Sequence, residues 1–230
     1  MPIECLRLTA SQVYLVHGPR PILVDVGLAR DEPRVTAWLA RKQIAPRDLG
    51  AIILTHAHAD HAGAVGALAQ RSGAPVVLGS GDVSTVRSGG AAGSSAPTGI
   101  RRVLASIGLI QAYPPLPRDV PVIAVETELR LEALGGVGSV MPVPGHTPGS
   151  IAVVLDTGDA IVGDVLIGGY LLGLVARSTP VPHFLHVDRS RNRASIGDLL
   201  STAARTWHLG HGGPVTAESV RSWMDRSPSG

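Results

Sequence analysis

Apolar residues along this chain fall into short runs separated by turns, and the first quarter shows the pattern plainly. The runs at residues 12–17 and 21–26 flank a Gly-Pro-Arg turn at residues 18–20 and predict a β-hairpin. Apolar side chains between residues 35 and 39 then recur at helical spacing. The start of the chain is therefore expected to form antiparallel strands followed by a helix whose apolar stripe faces a core.

A strand–helix–strand unit follows. Residues 51–54 form a continuous apolar run that predicts a buried strand, and residues 75–78 predict another. Between them, residues 62–71 are mostly small, with Val65 and Leu68 on one face of a predicted helix. A helix that joins neighbouring strands in this way makes them parallel, with a right-handed crossover.

The second half of the chain returns to short strands and ends in helices. Asp156-Thr157-Gly158-Asp159 is typical of a hairpin turn between two of these strands. An amphipathic helix is expected around residues 196–203, and Thr216 is expected to cap a final helix at residues 217–225. The strands predicted here cover residues 140–143, 151–155, 160–162 and 207–209.

Residues 79–121 differ from the rest because glycine, serine and proline dominate them. We expect a flexible insertion with a short helix at residues 100–107 and a proline-rich piece from Tyr113 onward. Two interpretations remain open for it. Loops of this kind often cover a substrate, but they are also found as surface excursions without a role.

Composition narrows the class of protein. The 230 residues fit one domain spanning residues 1–230, and 44% hydrophobic against 17% charged residues is not the composition of a disordered chain. The net charge is +2 and no run of Lys or Arg exceeds a pair, so nothing predicts nucleic-acid binding. Cys5 is the only cysteine, which excludes an intramolecular disulfide, and we expect it to be buried.

The sequence also shows no recognisable targeting signal. No signal peptide is recognisable, and the apolar stretch at residues 161–176 is too interrupted to span a bilayer. We therefore expect a cytoplasmic protein with no membrane or nucleic-acid partner. The apolar composition is compatible with a homodimer.

The strongest chemical signal is THAHADH at residues 55–61, directly after the apolar run 51–54. It places His56, His58, Asp60 and His61 within six residues, and imidazole and carboxylate are ligands that suit zinc and its first-row neighbours. Further ligands follow downstream. They are His146 in PGHTPGS, Asp164 after Gly163, and His211 in GHGGP. Seven ligands exceed what one tetrahedral ion needs and suit two ions.

These four motifs, in this order from about residue 6 to residue 214, resemble the metallo-β-lactamase-fold hydrolases, in particular the glyoxalase II-like and lactonase-like branch. The resemblance implies an α/β fold, a four-layer αβ/βα sandwich of two mixed sheets flanked by helices. It also implies a metal site in a groove at one edge of the two sheets.

Ligand roles follow from the same resemblance. His56, His58 and His146 would bind a first metal; Asp60, His61 and His211 would bind a second; and Asp164 would bridge the two. The implied cofactors are two divalent ions, zinc in the first place, with iron or manganese as alternatives. A hydroxide that bridges the ions would attack the carbonyl of a small ester, thioester or lactone, with Asp60 orienting it.

Other functions on the same fold stay open. A persulfide dioxygenase with one iron shares the HxHxDH motif and is the main alternative. True metallo-β-lactamases of this fold carry Cys or Ser where this chain has Asp164, which argues against that activity. A non-catalytic, metal-stabilised binding module is a third alternative, although such proteins usually lose ligands.

Three residues are candidates for substrate contacts. Residues 166–175 after Asp164 are expected to form an apolar loop, and Tyr170 in this loop can donate a hydrogen bond to a substrate carbonyl. His183 and His186 lie in a polar segment further on, where a simple surface turn is the alternative interpretation. His208 lies close to His211 and competes with it as a ligand in the sequence pattern.

Overall fold

A computed structural model describes residues 3–90, 112–171 and 173–227 of the chain. Within them, two six-stranded mixed sheets pack face to face with helices on their outer sides, and a small two-stranded sheet lies beside them. This is the four-layer α/β sandwich that the resemblance implied.

The first sheet is built from the first half of the chain, in the order β1-β2-β3-β4-β5-β6. The first three strands are antiparallel, and β3 to β6 run parallel. The predicted hairpin and the predicted parallel strand–helix–strand unit are both confirmed. The strands are β1 (Ile3–Arg7), β2 (Gln12–Val16), β3 (Ile22–Val24), β4 (Ala51–Ile53), β5 (Val76–Gly79) and β6 (Val122–Val125).

The second sheet is built from the second half, in the order β14-β13-β10-β9-β8-β7. All its pairs are antiparallel except β10 with β13. The strands are β7 (Leu129–Arg130), β8 (Ser139–Pro142), β9 (Ile151–Val154), β10 (Asp159–Gly163), β13 (Thr206–Leu209) and β14 (Val215–Thr216). Two further strands, β11 (Ile167–Tyr170) and β12 (Val175–Val181), pair with each other in a separate hairpin.

The helices lie between the strands. They are α1 (Glu32–Arg41), α2 (Ala59–Ala62), α3 (Val65–Ser72), α4 (Val83–Ser88), α5 (Arg189–Leu200) and α6 (Ala217–Arg226). Thr216 caps α6, as predicted, by accepting a hydrogen bond from the backbone N–H of Ser219 at 3.1 Å. The helix expected at residues 196–203 begins earlier and ends before Ala203.

The helix predicted at residues 62–71 is present as α3, which begins three residues later, and a separate short helix, α2, precedes it. Gly63 and Ala64 separate the two helices α2 and α3. At Gly63 a Cβ atom would lie 2.5 Å from the carbonyl oxygen of Ala59, so only glycine fits there. This separation gives the short helix α2 its own direction, and α2 carries Asp60 and His61.

Three apolar clusters fill the three spaces of the sandwich. Strand residues such as Val13, Leu23 and Ile52 pack under α1 and α3, whereas their neighbours in sequence face the second sheet. The opposite face of the second sheet packs against α5 and α6 through residues such as Ile196 and Val220. Strands covered on both faces explain why their sequences are continuous apolar runs.

The apolar stretch at residues 166–175 was expected to be a loop, and the structure corrects this. Its described residues include β11 and the first residue of β12, with a register shift between Gly168 and Tyr170. Gly169 has a φ of +80°, a backbone conformation that glycine adopts readily and that interrupts the regular geometry of the strand. Leu171 and Leu174, near the tip of this hairpin, are exposed.

The segment 79–121 is only partly described. Residues 79–90 form the end of β5, a 3-10 turn and α4, and the segment from Ala112 to β6 packs Tyr113, Leu116 and Val120 into the core. These two parts are therefore integral to the fold. The helix predicted at residues 100–107 lies outside the described residues.

Two smaller expectations concern the surface. Cys5, expected to be buried, is exposed, because β1 is the edge strand of the first sheet. Among the helices of the described residues, none combines the length and the apolar character that crossing a membrane requires.

Candidate metal centre

The seven predicted ligands all follow strands and meet where the two sheets open at one edge. His56 and His58 come just after β4, Asp60 and His61 lie on α2, and the remaining three come from the second sheet. These are His146 between β8 and β9, Asp164 directly after β10, and His211 just after β13. The first sheet thus supplies four of these side chains and the second sheet three.

The three imidazoles predicted for the first metal converge. Nδ1 of His58 lies 3.0 Å from Nε2 of His146. The ring of His56 stands edge-on to the rings of His58 and His146, with its centre 4.7 and 4.6 Å from theirs. The three ligand atoms lie within 4.8 Å of one another. Two neutral imidazole nitrogens in such proximity need a shared proton or a shared cation between them.

A second group forms around Asp60. Its Oδ2 lies 3.6 Å from Nε2 of His61 and 3.4 Å from Nε2 of His211. All three residues are buried. One carboxylate and two imidazoles at these distances form a group that could hold a metal ion.

Asp164 touches both groups. Its Oδ2 lies 3.2 Å from Nε2 of His211, 3.7 Å from that of His146 and 3.9 Å from that of His56. Its Oδ1 lies 3.6 Å from Nε2 of His61. A single carboxylate therefore stands between the two clusters.

Several of these atoms have no hydrogen-bond partner. Among the described residues, Nε2 of His56, Nε2 of His61 and Oδ1 of Asp164 are buried without one. A buried polar atom left unpaired costs about 1–3 kcal/mol, so such atoms are rare in proteins. The same three residues form a group that could hold a metal ion. The residues present therefore fit divalent cations at this place.

The two groups differ in the pKa values of their histidines. Burial lowers the pKa of His56 and of His146 well below the ordinary value, so both imidazoles are neutral and ready to act as ligands. Burial acts in the same direction on His61, but the carboxylates of Asp164, Asp60 and Asp25 outweigh it and raise its pKa to about 10. His211 and His61 hold the pKa of Asp164 well below its usual range, although burial opposes them.

Asp25 supports the second group from behind. Its Oδ2 lies 2.8 Å from Nδ1 of His61, and the same carboxylate accepts hydrogen bonds from the backbone N–H and the hydroxyl of Thr55 at 2.8 Å. The carboxylate thereby orients His61 with Nε2 toward the centre. Sequence reasoning missed this role, and the only local signal was an acidic residue at the end of an apolar strand.

Asp82 joins the two loops that carry the first-metal histidines. Its Oδ2 accepts hydrogen bonds from the backbone N–H of Ala57 and the hydroxyl of Thr147, and its Oδ1 accepts one from the N–H of Gly149. The carboxylate is buried. It lies in the segment that the sequence assigned to a flexible insertion, so its role was missed as well.

The loop of His211 is held by the first sheet. Nε2 of Gln12 donates to the carbonyl oxygens of Leu209 and Gly212 at 2.9 and 2.6 Å. The hydroxyl of Tyr14 also donates to Leu209 at 2.6 Å. Strand β2 thus positions a ligand that is almost 200 residues away in sequence.

The two candidate substrate-contact histidines lie beside the centre. His183 is only 5% exposed, its Nε2 lies 3.5 Å from Oδ2 of Asp164, and its ring centre lies 4.6 Å from that of His146. The ring centre of His186 lies 5.5 Å from that of His146. His183 with His146 and Asp164 forms a further group that could hold a metal ion.

Tyr170 and His208 lie elsewhere. Tyr170 is 60% exposed on β11, where it lines an apolar groove of about 720 Å³ with Phe184 and Trp223. Nε2 of His208 lies 3.0 Å from Oδ1 of Asp159, and His208 belongs to none of the candidate metal groups of the described residues. Of the two neighbouring histidines, His211 is therefore the one at the centre.

Comparison with known proteins gives a consistent result. A family model described as the metallo-beta-lactamase superfamily matches residues 6–194. The chain is 26% identical to the probable metallo-hydrolase YflN of Bacillus subtilis over 241 residues, covering 96% of this chain and 87% of YflN.

Solved structures are similar over nearly the whole chain. TTHA1623, whose crystal structure is of a di-iron-bound form, has a TM-score of 0.68 and 27% identity, covering 96% of this chain and 97% of that one. BLEG-1, described as a B3 metallo-beta-lactamase, has a TM-score of 0.66 and 25% identity, covering 99% of this chain and 98% of that one.

Proposed function

Because the chain belongs to the metallo-beta-lactamase superfamily, we propose that it is a metal-dependent hydrolase that cleaves a small ester, thioester or lactone with two divalent ions. The observation that supports this best is the position of Asp164, whose oxygens lie within 4 Å of imidazole nitrogens from both ligand groups. If the site held one ion only, the buried imidazoles and carboxylate of the other group would have no cation to bind.

The proposed ligand roles follow the two groups. His56, His58 and His146 would hold the first ion, Asp60, His61 and His211 would hold the second, and Asp164 would contact both. When bound, such ions polarise a carbonyl oxygen and lower the pKa of water to about 7, so that hydroxide is available at neutral pH. The side chains supply orientation and proton transfer.

Asp60 is the proposed catalytic carboxylate. Its Oδ2 lies between the imidazoles of His61 and His211, on the side that faces the centre. The hydroxyl of Ser11 donates to the backbone carbonyl of Asp60 and fixes the start of α2. From this position the carboxylate orients the attacking water and takes up its proton.

Three side chains are proposed to contact the substrate. His183 lies within 3.5 Å of Asp164, so its Nε2 can reach a carbonyl oxygen placed at the centre. His186 stands behind it, next to His146. Tyr170 lies on the exposed hairpin and would reach the substrate from outside the centre.

Zinc is the proposed metal, with iron or manganese as alternatives. The nitrogen and oxygen ligands suit all three, and the choice depends on geometry and availability more than on affinity. The similar protein TTHA1623 was crystallised in a di-iron-bound form, so metal content has to be measured before activity is interpreted.

The first experiment combines metal analysis with a substrate panel. Protein purified without added metal is expected to contain about two divalent ions per chain and to hydrolyse at least one of a set of thioesters, lactones and aryl esters. The panel includes a chromogenic β-lactam, because BLEG-1 is described as a metallo-beta-lactamase. One iron per chain with oxygen uptake on a persulfide would replace this proposal with a dioxygenase.

Replacing Asp60 tests the mechanism. We expect Asp60→Ala to lower kcat by about 10²-fold or more, because general acid–base groups contribute 10²–10⁴-fold, while the circular dichroism spectrum stays unchanged. Asp31→Asn is the matched control, since Asp31 is buried and, among the described residues, its carboxylate bonds only to the N–H of Leu28. Equal kcat in the Asp60 variant and the wild type would remove Asp60 from the catalytic step, whereas a binding module would show no turnover in either protein.

A further inference from the structure

A cavity of about 860 Å³ lies beside the candidate metal centre, between the segment after β12 and the helices α5 and α6. Its wall includes His183 and His186, whose rings pack against that of His146. Val165, next to Asp164 in sequence, also lines it. The cavity is therefore separated from the centre by the side chains of His183 and His186, and a molecule bound in it can contact both of them.

The lining of the cavity combines two kinds of chemistry. Val165, Ile196, Trp223 and Met224 provide an apolar surface. The charged residues that line it in the described part of the chain are arginines, and no Asp or Glu is among the lining residues. The cavity is therefore complementary to an apolar chain that ends in a negative charge.

Arg189 is the cation that remains available for such a charge. Its neighbour Arg193 donates a hydrogen bond to the carbonyl oxygen of Met224 at 2.8 Å, whereas Arg189 makes no ion pair within the described residues. Arg189 is also the first residue of α5, where the helix dipole disfavours a positive charge. Stability of the helix does not explain an arginine there.

We propose that this cavity binds the acyl part of the substrate, and that the acyl chain is apolar and ends in a carboxylate that pairs with Arg189. The guanidinium offers a planar fork that matches one carboxylate. This inference rests on the proposed hydrolase function, because it assigns the scissile carbonyl to the centre and the far end of the acyl chain to the cavity.

The kinetic test uses two substrates of equal chain length. 4-Nitrophenyl hexanoate and the mono-4-nitrophenyl ester of adipic acid differ only in the terminal carboxylate. The wild-type holoenzyme is expected to prefer the adipate ester in kcat/KM by about fivefold, the upper end of what one exposed ion pair contributes. The preference should fall with added salt, because exposed charges are screened.

Arg189→Ala is expected to remove this preference while it changes kcat/KM on the hexanoate ester less than about twofold. Arg189→Glu should reverse the preference. Arg191→Ala is the matched control, because Arg191 lies in the same turn of α5 but does not line the cavity. If the Arg189 variants keep the preference of the wild type, or if the control loses it equally, the inference is wrong.

A binding measurement separates this inference from the proposed function. Calorimetric titration of the metal-loaded protein with adipate and with hexanoate needs no turnover. Adipate is expected to bind more tightly, and Arg189→Ala to remove the difference. Hydrolysis of both esters without any carboxylate preference would refute the cavity assignment alone. Selective binding of adipate without hydrolysis of any ester would refute the hydrolase and leave the anion site.

Discussion

Asp25 lies outside every motif that indicated a metal, yet it contacts the side chains of two residues in one of them. Its carboxylate bonds to Thr55 and to Nδ1 of His61, so it sets the orientation of a predicted ligand. Its own backbone has a φ of +58°, an uncommon conformation for a residue other than glycine. A residue held in such a conformation beside a cluster of ligands points to a role in the centre.

We expect Asp25→Asn to weaken metal binding by about 10- to 100-fold, because partners of a ligand histidine typically contribute that much to affinity. Competition with a chromogenic chelator measures this directly. Asp31→Asn, which changes a buried carboxylate away from the centre, should bind metal as the wild type does. Unchanged affinity of the Asp25 variant would remove Asp25 from the account of the centre.

The raised pKa of His61 predicts a proton release. Without metal, a pKa of about 10 keeps this imidazole protonated at pH 7. A metal can bind Nε2 only after that proton leaves, so the second ion should release at least about one proton as it binds. Titration calorimetry at pH 7 in two buffers of different ionisation enthalpy measures the number. Identical heats in both buffers would show that His61 is neutral before metal binds.

At the scale of elements, the centre depends on close approaches between loops. Gly210 precedes His211, and a Cβ atom there would lie 2.0 Å from Oδ1 of Asp164 and 2.6 Å from Cε1 of His61. The loop after β13 can therefore reach the centre only because this residue has no side chain. The loops after β4 and β8 also lie close together, and the carboxylate of Asp82 joins them by hydrogen bonds.

Gly210→Ala is expected to displace Asp164 or His61 and to lower the metal content toward one ion per chain or less. Gly197→Ala is the matched control, since nothing lies within 4 Å of its Cβ position on α5. That change should raise stability by up to about 1 kcal/mol, because alanine favours a helix over glycine. Metal analysis and urea unfolding distinguish the two variants, and full metal content in Gly210→Ala would contradict the steric argument.

At the scale of the whole molecule, the two sheets share the centre. Four of the predicted ligands come from loops of the first sheet and three from loops of the second. The apolar cluster between the sheets, which includes Val24 and Val153, holds these loops at a fixed separation. Ions bound at the centre would join the two sheets in addition to this packing.

Metal removal should therefore destabilise the entire fold. A ligand present at 100 times its dissociation constant stabilises a protein by about 2.7 kcal/mol, and two ions add to this. We expect a chelator to lower the midpoint of thermal unfolding by several degrees and added zinc to restore it. An unchanged midpoint with metal demonstrably lost would mean that the sandwich holds the centre without help from it.

The sequence by itself determined most strands and helices and the seven candidate ligands, and its four motifs indicated the class of fold through their resemblance to the metallo-β-lactamase-fold hydrolases. These features are encoded over a few residues, in apolar runs, helical spacing and polar clusters at the ends of strands. It also indicated His183 and His186 as neighbours of a substrate, and the structure places both beside His146.

Only the tertiary structure decided which distant residues support the centre. Asp25, Asp82 and Gln12 are ordinary polar residues in their local sequence, and their partners are 25 to 200 positions away. The separation of α2 from α3 at Gly63 and the hairpin of β11 with β12 likewise depend on contacts with other parts of the chain. Local patterns record what a residue's neighbours in sequence require, whereas such contacts follow from the order of strands and the packing of sheets.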